Sequence, residues 1–232
     1  MGCSGQRRHY KHPVFLTESD VVSHLQTAMV SKLPDERREI VELIGRSRYR
    51  SHQVVLDVLA TIARTDRSEA VRCAAIRALG KAKSPQAAPV LVEILKAKPS
   101  DKQLLPPTAA LKKEALRAAE PLLEGQMLST DPKRSFRDAA IGLLGKDPSR
   151  DVRQAAARLL GHIEDRAVLE PLIDSLDQRD FGVVYESERS LKRLTGQSFQ
   201  HDAPDWRQWL RQNPQKNPLV NSAAATDGQN NS

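Results

Sequence analysis

The sequence is poor in the residues that usually fill a compact globular core. Aromatic residues make up 4% of its 232 residues, and all hydrophobic residues together make up 39%, which is below the share typical of globular domains. No run of about 18 apolar residues occurs, so the given residues predict no membrane-spanning helix. The two cysteines, Cys3 and Cys73, are too few for a disulfide framework. A thin repeat array, in which each unit contacts only its neighbours, needs fewer large core residues and fits this composition.

A repeated motif runs through the middle of the chain. Segments 66–80, 131–145 and 147–161 each begin with Asp, carry an Ala-Ala pair in the same register, and end in Leu-Gly. A weaker copy occupies 35–45. The interval from Asp66 to Asp147 corresponds to two units of about 40 residues, the length of HEAT and armadillo units.

Each recurring element of the motif has a structural explanation. The initial Asp is expected to cap a helix N-terminus, and the alanines to let a neighbouring helix approach closely. The terminal Gly is expected to end the helix in a left-handed turn. Apolar residues at helical spacing follow each motif and predict a second helix. The predicted pairs are 35–45 with 51–64, 69–80 with 85–97, 109–124 with 133–145, and 149–161 with 165–177.

The motif resembles the HEAT repeat, in the variety called the phycobilisome-lyase HEAT-like repeat. The resemblance implies an all-α fold, an α-solenoid of about four HEAT-like helix pairs over residues 35–177 with capping helices at both ends. In this family, Asp and Arg side chains often form ladders between adjacent repeats. The resemblance assigns that structural role to Asp66, Arg72, Asp147 and Arg153.

The ends of a solenoid must cover the apolar faces of its terminal repeats. Residues 17–34 begin with a helix-start signal, Thr17-Glu-Ser-Asp, and predict an N-terminal cap helix. Residues 178–212 predict a C-terminal cap that resembles the terminal cap of bacterial HEAT-repeat proteins, with Phe199, Trp206 and Trp209 as its sealing residues. The alternative is that the two tryptophans form an exposed anchor for a binding partner. We expect residues 1–16 to form a flexible basic arm and residues 213–232 a disordered tail.

Catalytic chemistry finds little support in the sequence. The six histidines show no His-x-x-x-His spacing, and there is neither a Cys-x-x-Cys motif nor a glycine-rich phosphate loop. The His-Glu dipeptides of the HEAT-repeat enzyme deoxyhypusine hydroxylase are absent, and no residue indicates a bilin. The acid–aromatic pair Asp205-Trp206, which a HEAT-type DNA glycosylase could use, falls in the predicted cap. We therefore expect no catalytic residue, no metal and no cofactor.

The expected function is a scaffold or adaptor that binds a partner protein on the solenoid surface, with the second helix of each pair as the binding side. Candidate surface positions on those helices are Gln53, Asp57, Gln86, Glu93, Lys96, Glu170 and Asp174. The irregular segment 98–108, with two adjacent prolines, is a further candidate for a binding loop. The alternative is a nucleic-acid-binding protein that uses a basic stripe, formed by Arg46, Arg48, Arg50, Arg77, Lys81 and Lys83.

The N-terminal sequence Met1-Gly2-Cys3-Ser4-Gly5 resembles the junction of a bacterial lipoprotein, where the cysteine carries the lipid. This interpretation expects an apolar signal segment upstream of Gly2, a lipid anchor on Cys3, and a location at the cell envelope with contact to the membrane surface. A eukaryotic myristoylation motif fits less well, because position 6 is Gln rather than Ser or Thr. The remaining alternative is an unmodified, cytoplasmic N-terminus.

Overall fold

The computed structural model describes residues 16–97 and 106–214. Eleven α-helices run through this described part of the chain, and it contains no strand. The helices are α1 (Glu18–Val30), α2 (Pro34–Ile44), α3 (Gln53–Thr65), α4 (Glu69–Ala82), α5 (Ala88–Lys96), α6 (Ala109–Glu124), α7 (Thr130–Lys146), α8 (Arg150–Leu160), α9 (Leu169–Asp174), α10 (Phe181–Thr195) and α11 (Ala203–Gln212). The predicted all-helical solenoid is confirmed.

The helices form two layers. The even-numbered helices α2, α4, α6, α8 and α10 stack in sequence order to make one layer, which we call the even layer. The odd-numbered helices α1, α3, α5, α7, α9 and α11 contact one another in the same order and make the odd layer. Each unit therefore contacts mainly its neighbours, as the repeat pattern predicts.

The helices that pack closely across the two layers are not the pairs that the sequence predicted. Each of the first five odd-numbered helices packs closely on the even-numbered helix that follows it, starting with α1 on α2 and ending with α9 on α10. The sequence had paired each even-numbered helix with the odd-numbered helix after it. Short turns of about three residues after α1, α3 and α7 bring the consecutive helices together as tight hairpins. Helix α1 is thus the first member of the first closely packed pair.

The motif glycines do not end helices in left-handed turns, so that expectation was wrong. Gly45 and Gly161 have right-handed φ angles of −63°, and Gly80 lies inside α4. A Cβ atom at Gly80 would lie 2.8 Å from the Cα atom of Ala118 in α6, and one at Gly161 would lie 2.8 Å from the Cβ atom of Ser190 in α10. These glycines therefore permit close approach of consecutive helices in the even layer.

The motif aspartates have a different local role from the predicted one. Asp66 and Asp147 are the residues that follow α3 and α7, and the N-caps of the next helices are Ser68 and Ser149. Each Asp carboxylate accepts a hydrogen bond from the backbone N–H of the serine two residues later, at 2.8 Å and 2.9 Å. This is an Asx turn, which fixes the hairpin between the two helices.

A continuous apolar core lies between the two layers. Its largest fully buried side chains include Trp206, Phe136, Leu16, Ile40, Leu59 and Leu116. At the N-terminal end, Thr17 and Asp20 form a reciprocal capping box that starts α1 where the sequence predicted a helix. The core thus extends from the first described residue, Leu16, into α11.

Candidate functional site

The basic residues predicted to form a stripe lie at the C-terminal ends of α2 and α4. Arg46, Arg77 and Lys81 line a small groove of about 90 Å³ there, together with Glu42. Glu42 lies 3.8 Å from the Arg46 guanidinium and 3.7 Å from that of Arg77. Because the carboxylate sits among the bases, it offsets part of the positive charge of the groove.

The other three basic residues of the predicted stripe, Arg48, Arg50 and Lys83, do not line this groove. The Arg48 guanidinium lies over the Tyr49 ring, 4.9 Å from its centroid, and donates a hydrogen bond to the Tyr49 hydroxyl at 2.8 Å. Arg50 donates to the backbone carbonyl of Ser47 at 3.2 Å. Lys83 is exposed at the end of α4, in a left-handed backbone conformation. The structure thus brings together only half of the predicted stripe.

The candidate positions on the predicted second helices all belong to the odd layer or to the turn that leads into it. Within this set, Gln53 donates to the Asp57 carboxylate at 2.8 Å, and Glu93 pairs with Arg64 at 2.7 Å. Asp174 pairs with Arg207 of α11 at 2.9 Å. Six of the seven are exposed and one is half-buried, and the set is Gln53, Asp57, Gln86, Glu93, Lys96, Glu170 and Asp174.

The residues assigned to a ladder do reach across repeats, but with partners that the sequence did not identify. Asp66 accepts two hydrogen bonds from Arg37 of α2, at 2.7 Å and 2.8 Å. Asp147 pairs with Lys112 of α6 at 2.7 Å, and Arg153 lies 3.9 Å from Asp180. Arg72 is buried in α4 near Asp66.

The Arg37–Asp66 pair is shielded from solvent, since the two side chains are 12% and 8% exposed. Burial alone would raise the pKa of Asp66, but hydrogen bonds from Arg37 and from the Ser68 backbone hold this pKa below its usual value. The carboxylate is therefore charged throughout the neutral range and ties α2 to the turn before α4.

The C-terminal aromatic residues pack as a cluster on the end of the core. Trp206 is fully buried, and its indole N–H donates to the Gln200 carbonyl at 3.1 Å. Phe199 meets the Trp206 ring edge to face at a centroid distance of 4.9 Å, and the Trp209 ring lies 6.3 Å from that of Trp206. Phe199 and Trp209 are half-buried and contact the core.

A groove of about 610 Å³ lies where α6, α8 and α10 end and α7 begins, and sequence reasoning did not identify it. His162 lies in this groove between Glu124, at 3.2 Å, and Arg193, at 2.7 Å. Burial, and then the nearby Arg193 charge, lower the pKa of His162 to about 4. Its imidazole is therefore neutral near pH 7. Three different repeats supply these residues, so no local spacing in the sequence could have indicated the groove.

The part of the chain that the structure describes lacks the features of a metal site and holds its one cysteine inside a helix. That part holds no group of three or more His, Cys, Asp or Glu side chains placed to bind a metal ion. Burial raises the pKa of the Cys73 thiol, which lies inside α4. Within residues 16–97 and 106–214, no helix is long and apolar enough to cross a membrane.

Several predicted features lie wholly or mostly outside the described residues. These are the lipid anchor Cys3, the N-terminal arm 1–16, most of the segment 98–108, and the tail 213–232, of which the structure describes only Leu16, residues 106–108, Asn213 and Pro214.

Comparisons with known proteins agree with the architecture. Three solved structures share the fold at about 20% identity. A complex of CpcE and CpcF of phycocyanin lyase from Nostoc sp. PCC7120 matches with a TM-score of 0.57 and 19% identity, over 90% of this chain and 74% of that one. An engineered protein matches with a TM-score of 0.54 and 21% identity, over 75% and 80% of the two chains. A second engineered protein gives 0.52 and 20%, over 75% and 78%.

Family models match two parts of the sequence. The model of HEAT repeats matches residues 22–104, and the model of the PBS lyase HEAT-like repeat matches residues 152–178. No curated protein matches the chain. The two family matches, together with the two-layer stack of helices, show HEAT-like repeats in these two segments of the solenoid.

Proposed function

We propose that the chain is a non-catalytic adaptor that binds a partner protein on the odd layer of its solenoid. The observation that carries this proposal is the exposure of large apolar side chains on α1 and α3. Val22 and Met29 on α1 and Val54 on α3 are about half exposed or more. Polar side chains, Gln53 and Asp57, lie beside Val54. Apolar residues bordered by polar ones are the composition of a protein interface.

One of the similar solved structures supports association with another protein. That structure is a complex of two proteins, CpcE and CpcF. Since it belongs to phycocyanin lyase, catalysis is the competing possibility for this chain. We favour binding because the sequence carries no catalytic motif and the exposed apolar residues need a partner surface.

The test is affinity purification of the full chain from its native host, after nuclease treatment. We expect a protein partner in stoichiometric amount with the wild type, and its loss when Val54→Asp and Asp57→Lys are combined. The matched control is Glu39→Lys, which makes the same charge change as Asp57→Lys at an exposed position of α2 in the even layer. Equal loss with the control would show that non-specific charge, and not the odd layer, holds the partner.

Nucleic-acid binding is the second candidate, carried by the groove formed by Arg46, Arg77 and Lys81. It is the weaker candidate because Glu42 pairs with two of these bases. Recovery of nucleic acid without protein would favour it, provided that the affinity falls steeply with salt, as phosphate contacts require.

We also propose that a lipid on Cys3 tethers the solenoid to a bacterial envelope. Arg7, Arg8 and Lys11 follow the cysteine without a nearby acid, and each would add about 1 kcal/mol of attraction to an anionic membrane surface. The test is fractionation of the protein expressed from its full reading frame. A soluble product with no mass added at Cys3 would exclude the anchor and favour the cytoplasmic alternative.

A further inference from the structure

The groove beside His162 is much larger than its counterpart between α2 and α4. Its volume is about 610 Å³, against about 90 Å³ for the counterpart. Both grooves lie where even-numbered helices end, and each adjoins the glycine that follows a helix, Gly161 after α8 and Gly45 after α2. Small-molecule sites typically enclose several hundred cubic ångströms. The larger groove therefore has the size of a small-molecule site, whereas the smaller one does not.

The acidic side chains that line the larger groove are Glu124, Glu164 and Asp165. Asp165 pairs with Arg137 of α7 and also accepts a hydrogen bond from the backbone N–H two residues later, at 2.9 Å. Glu124 contacts the His162 imidazole at 3.2 Å, but this ring is neutral near pH 7 and leaves the carboxylate charge uncompensated. Glu164 is exposed and forms no ion pair within the described residues. The lining therefore holds two uncompensated carboxylates.

The basic side chains of the same groove have no acidic partner among the described residues. Lys133 and Arg134 of α7 form no ion pair there. Arg193 of α10 contacts the neutral His162 imidazole at 2.7 Å. In the counterpart groove, by contrast, Glu42 lies within 3.8 Å of two arginines. Three cations against two carboxylates leave an excess of positive charge in the larger groove, and these cations are not already paired with acids.

Apolar side chains form a further part of the lining of the larger groove. Leu123 of α6, Ile163 after α8 and Leu194 of α10 belong both to this lining and to the buried core. An apolar wall with a few charged side chains is typical of small-molecule sites, since the wall contacts the body of a ligand and the charges fix its orientation. The groove thus fits a ligand that has an anionic group and a larger body beside it.

We propose that this groove binds the phosphate group of a small molecule. Lys133, Arg134 and Arg193 pair with the phosphate oxygens, and the apolar wall contacts the remainder of the molecule. Phosphate suits these cations better than a carboxylate does, because it carries close to two negative charges and three oxygens that accept charge-assisted hydrogen bonds. The site lies apart from the exposed apolar residues of α1 and α3, so it does not depend on the proposed adaptor function.

The test is nuclear magnetic resonance of the full chain with isotope-labelled histidine, near pH 7 and at constant ionic strength. The probes are inorganic phosphate and ribose 5-phosphate, with ribose as the uncharged control. We expect both phosphates, and not ribose, to cause a saturable shift of the His162 ring signals, which are assigned by their absence from His162→Gln. Tighter binding of ribose 5-phosphate would identify an organic phosphate as the occupant, and equal affinities would identify free phosphate.

Two double variants with the same change in charge locate the site. The variant Lys133→Gln, Arg134→Gln should bind ribose 5-phosphate about tenfold more weakly, the effect of two solvent-exposed charge contacts. The matched control is Lys146→Gln, Arg150→Gln, which removes two exposed cations beside the turn between α7 and α8 and should bind as the wild type does. Circular dichroism verifies that both variants are folded.

Three results would overturn the inference. They are the absence of a saturable shift with either phosphate probe, equal weakening by the two double variants, and equal affinity for succinate, whose anionic groups are carboxylates alone. None of these results bears on the affinity purification that tests the adaptor function, so the two proposals can fail separately.

Discussion

The two layers of the solenoid are packed by different means. In the even layer, consecutive helices approach so closely that a Cβ at Gly45 would lie 2.7 Å from that of Ala78, and similar contacts recur at Gly80 and Gly161. In the odd layer, Gly142 and Gly145 of α7 have no atom within 4 Å of an added Cβ. The same residue type therefore enforces close packing in one layer and faces open space in the other.

Ion pairs link neighbouring helices in both layers. Ion pairs across the even layer link each of its helices to the next, as Arg77 does by lying 3.7 Å from Glu42 of α2 and 3.6 Å from Glu114 of α6. In the odd layer, Arg64 of α3 pairs with Glu93 of α5 at 2.7 Å, and α1 and α3 also expose large apolar side chains. The close glycine contacts indicate that the packing of the even layer tolerates less added volume than that of the odd layer.

The largest expected effect comes from filling the closest helix contact. Gly80→Val should destabilise the fold by about 3 kcal/mol, the upper end of the usual cost of overpacking. The reason is that the new side chain meets the backbone of Ala118 and not the movable end of a side chain. Chemical denaturation followed by circular dichroism measures the change in the free energy of unfolding.

The matched control for that variant is Gly145→Val in α7, where the added atoms meet open space. We expect this control to change the free energy of unfolding by less than about 0.5 kcal/mol, as for an exposed surface substitution. Equal losses from both variants would contradict the proposed difference between the layers.

The second prediction compares one ion pair from each layer. Arg37→Ala removes two charge-assisted hydrogen bonds from the shielded Asp66 carboxylate and should cost about 2 kcal/mol. Arg64→Ala in the odd layer breaks the Arg64–Glu93 pair, whose side chains are 32% and 38% exposed, and should cost less than about 1 kcal/mol. Thermal and denaturant unfolding of the two variants measures both losses of stability. A larger loss in Arg64→Ala than in Arg37→Ala would contradict the prediction.

The third prediction concerns the contribution of His162 to the pH dependence of folding stability. Its folded-state pKa is about 4, lowered first by burial and then by Arg193, against a usual value of 6.5. Above pH 6.5, His162 is neutral in both states and contributes nothing to the pH dependence. Between pH 6.5 and about 4, the unfolded chain binds a proton that the folded chain does not, so stability falls as the pH falls.

His162→Gln should therefore flatten the stability profile between pH 6.5 and 4 and leave the slope above pH 7 unchanged. The measurement is the free energy of unfolding at several pH values for both proteins. The exposed His52, at the start of α3, provides the control variant His52→Gln. An unchanged slope in His162→Gln would show that the imidazole is protonated in the fold and that its burial has little effect.

The sequence predicted the helices well because their apolar spacing and punctuation are local signals. Thr17 and Asp20 start α1 as predicted, and the glycines that follow Ile44 and Leu160 mark where α2 and α8 stop. The sequence predicted the roles of the motif residues poorly, because those roles depend on the adjacent repeat. The partner of Asp66 is Arg37, 29 residues away, and the reason for Gly80 is Ala118.

The candidate surfaces show the same limit. The second-helix positions could be read as exposed from helical spacing alone, and the structure places them in the odd layer or at its entrance. The sequence places Glu42 near the basic stripe, but the contact of Glu42 with Arg77 follows only from the stacking of α2 on α4.

The smallest expected effect is a gain in stability from a substitution in the odd layer. Gly145→Ala should raise the free energy of unfolding by about 0.5–1 kcal/mol, because glycine inside a helix is less favourable than alanine by that amount. The new methyl group has open space around it, and the backbone of α7 is helical at this position. Denaturant unfolding measured alongside Gly80→Ala should give opposite signs, since the same methyl group at position 80 would lie 2.8 Å from the Ala118 backbone. A loss of stability in Gly145→Ala would show that α7 is packed against something in solution, and that the odd layer is not open there.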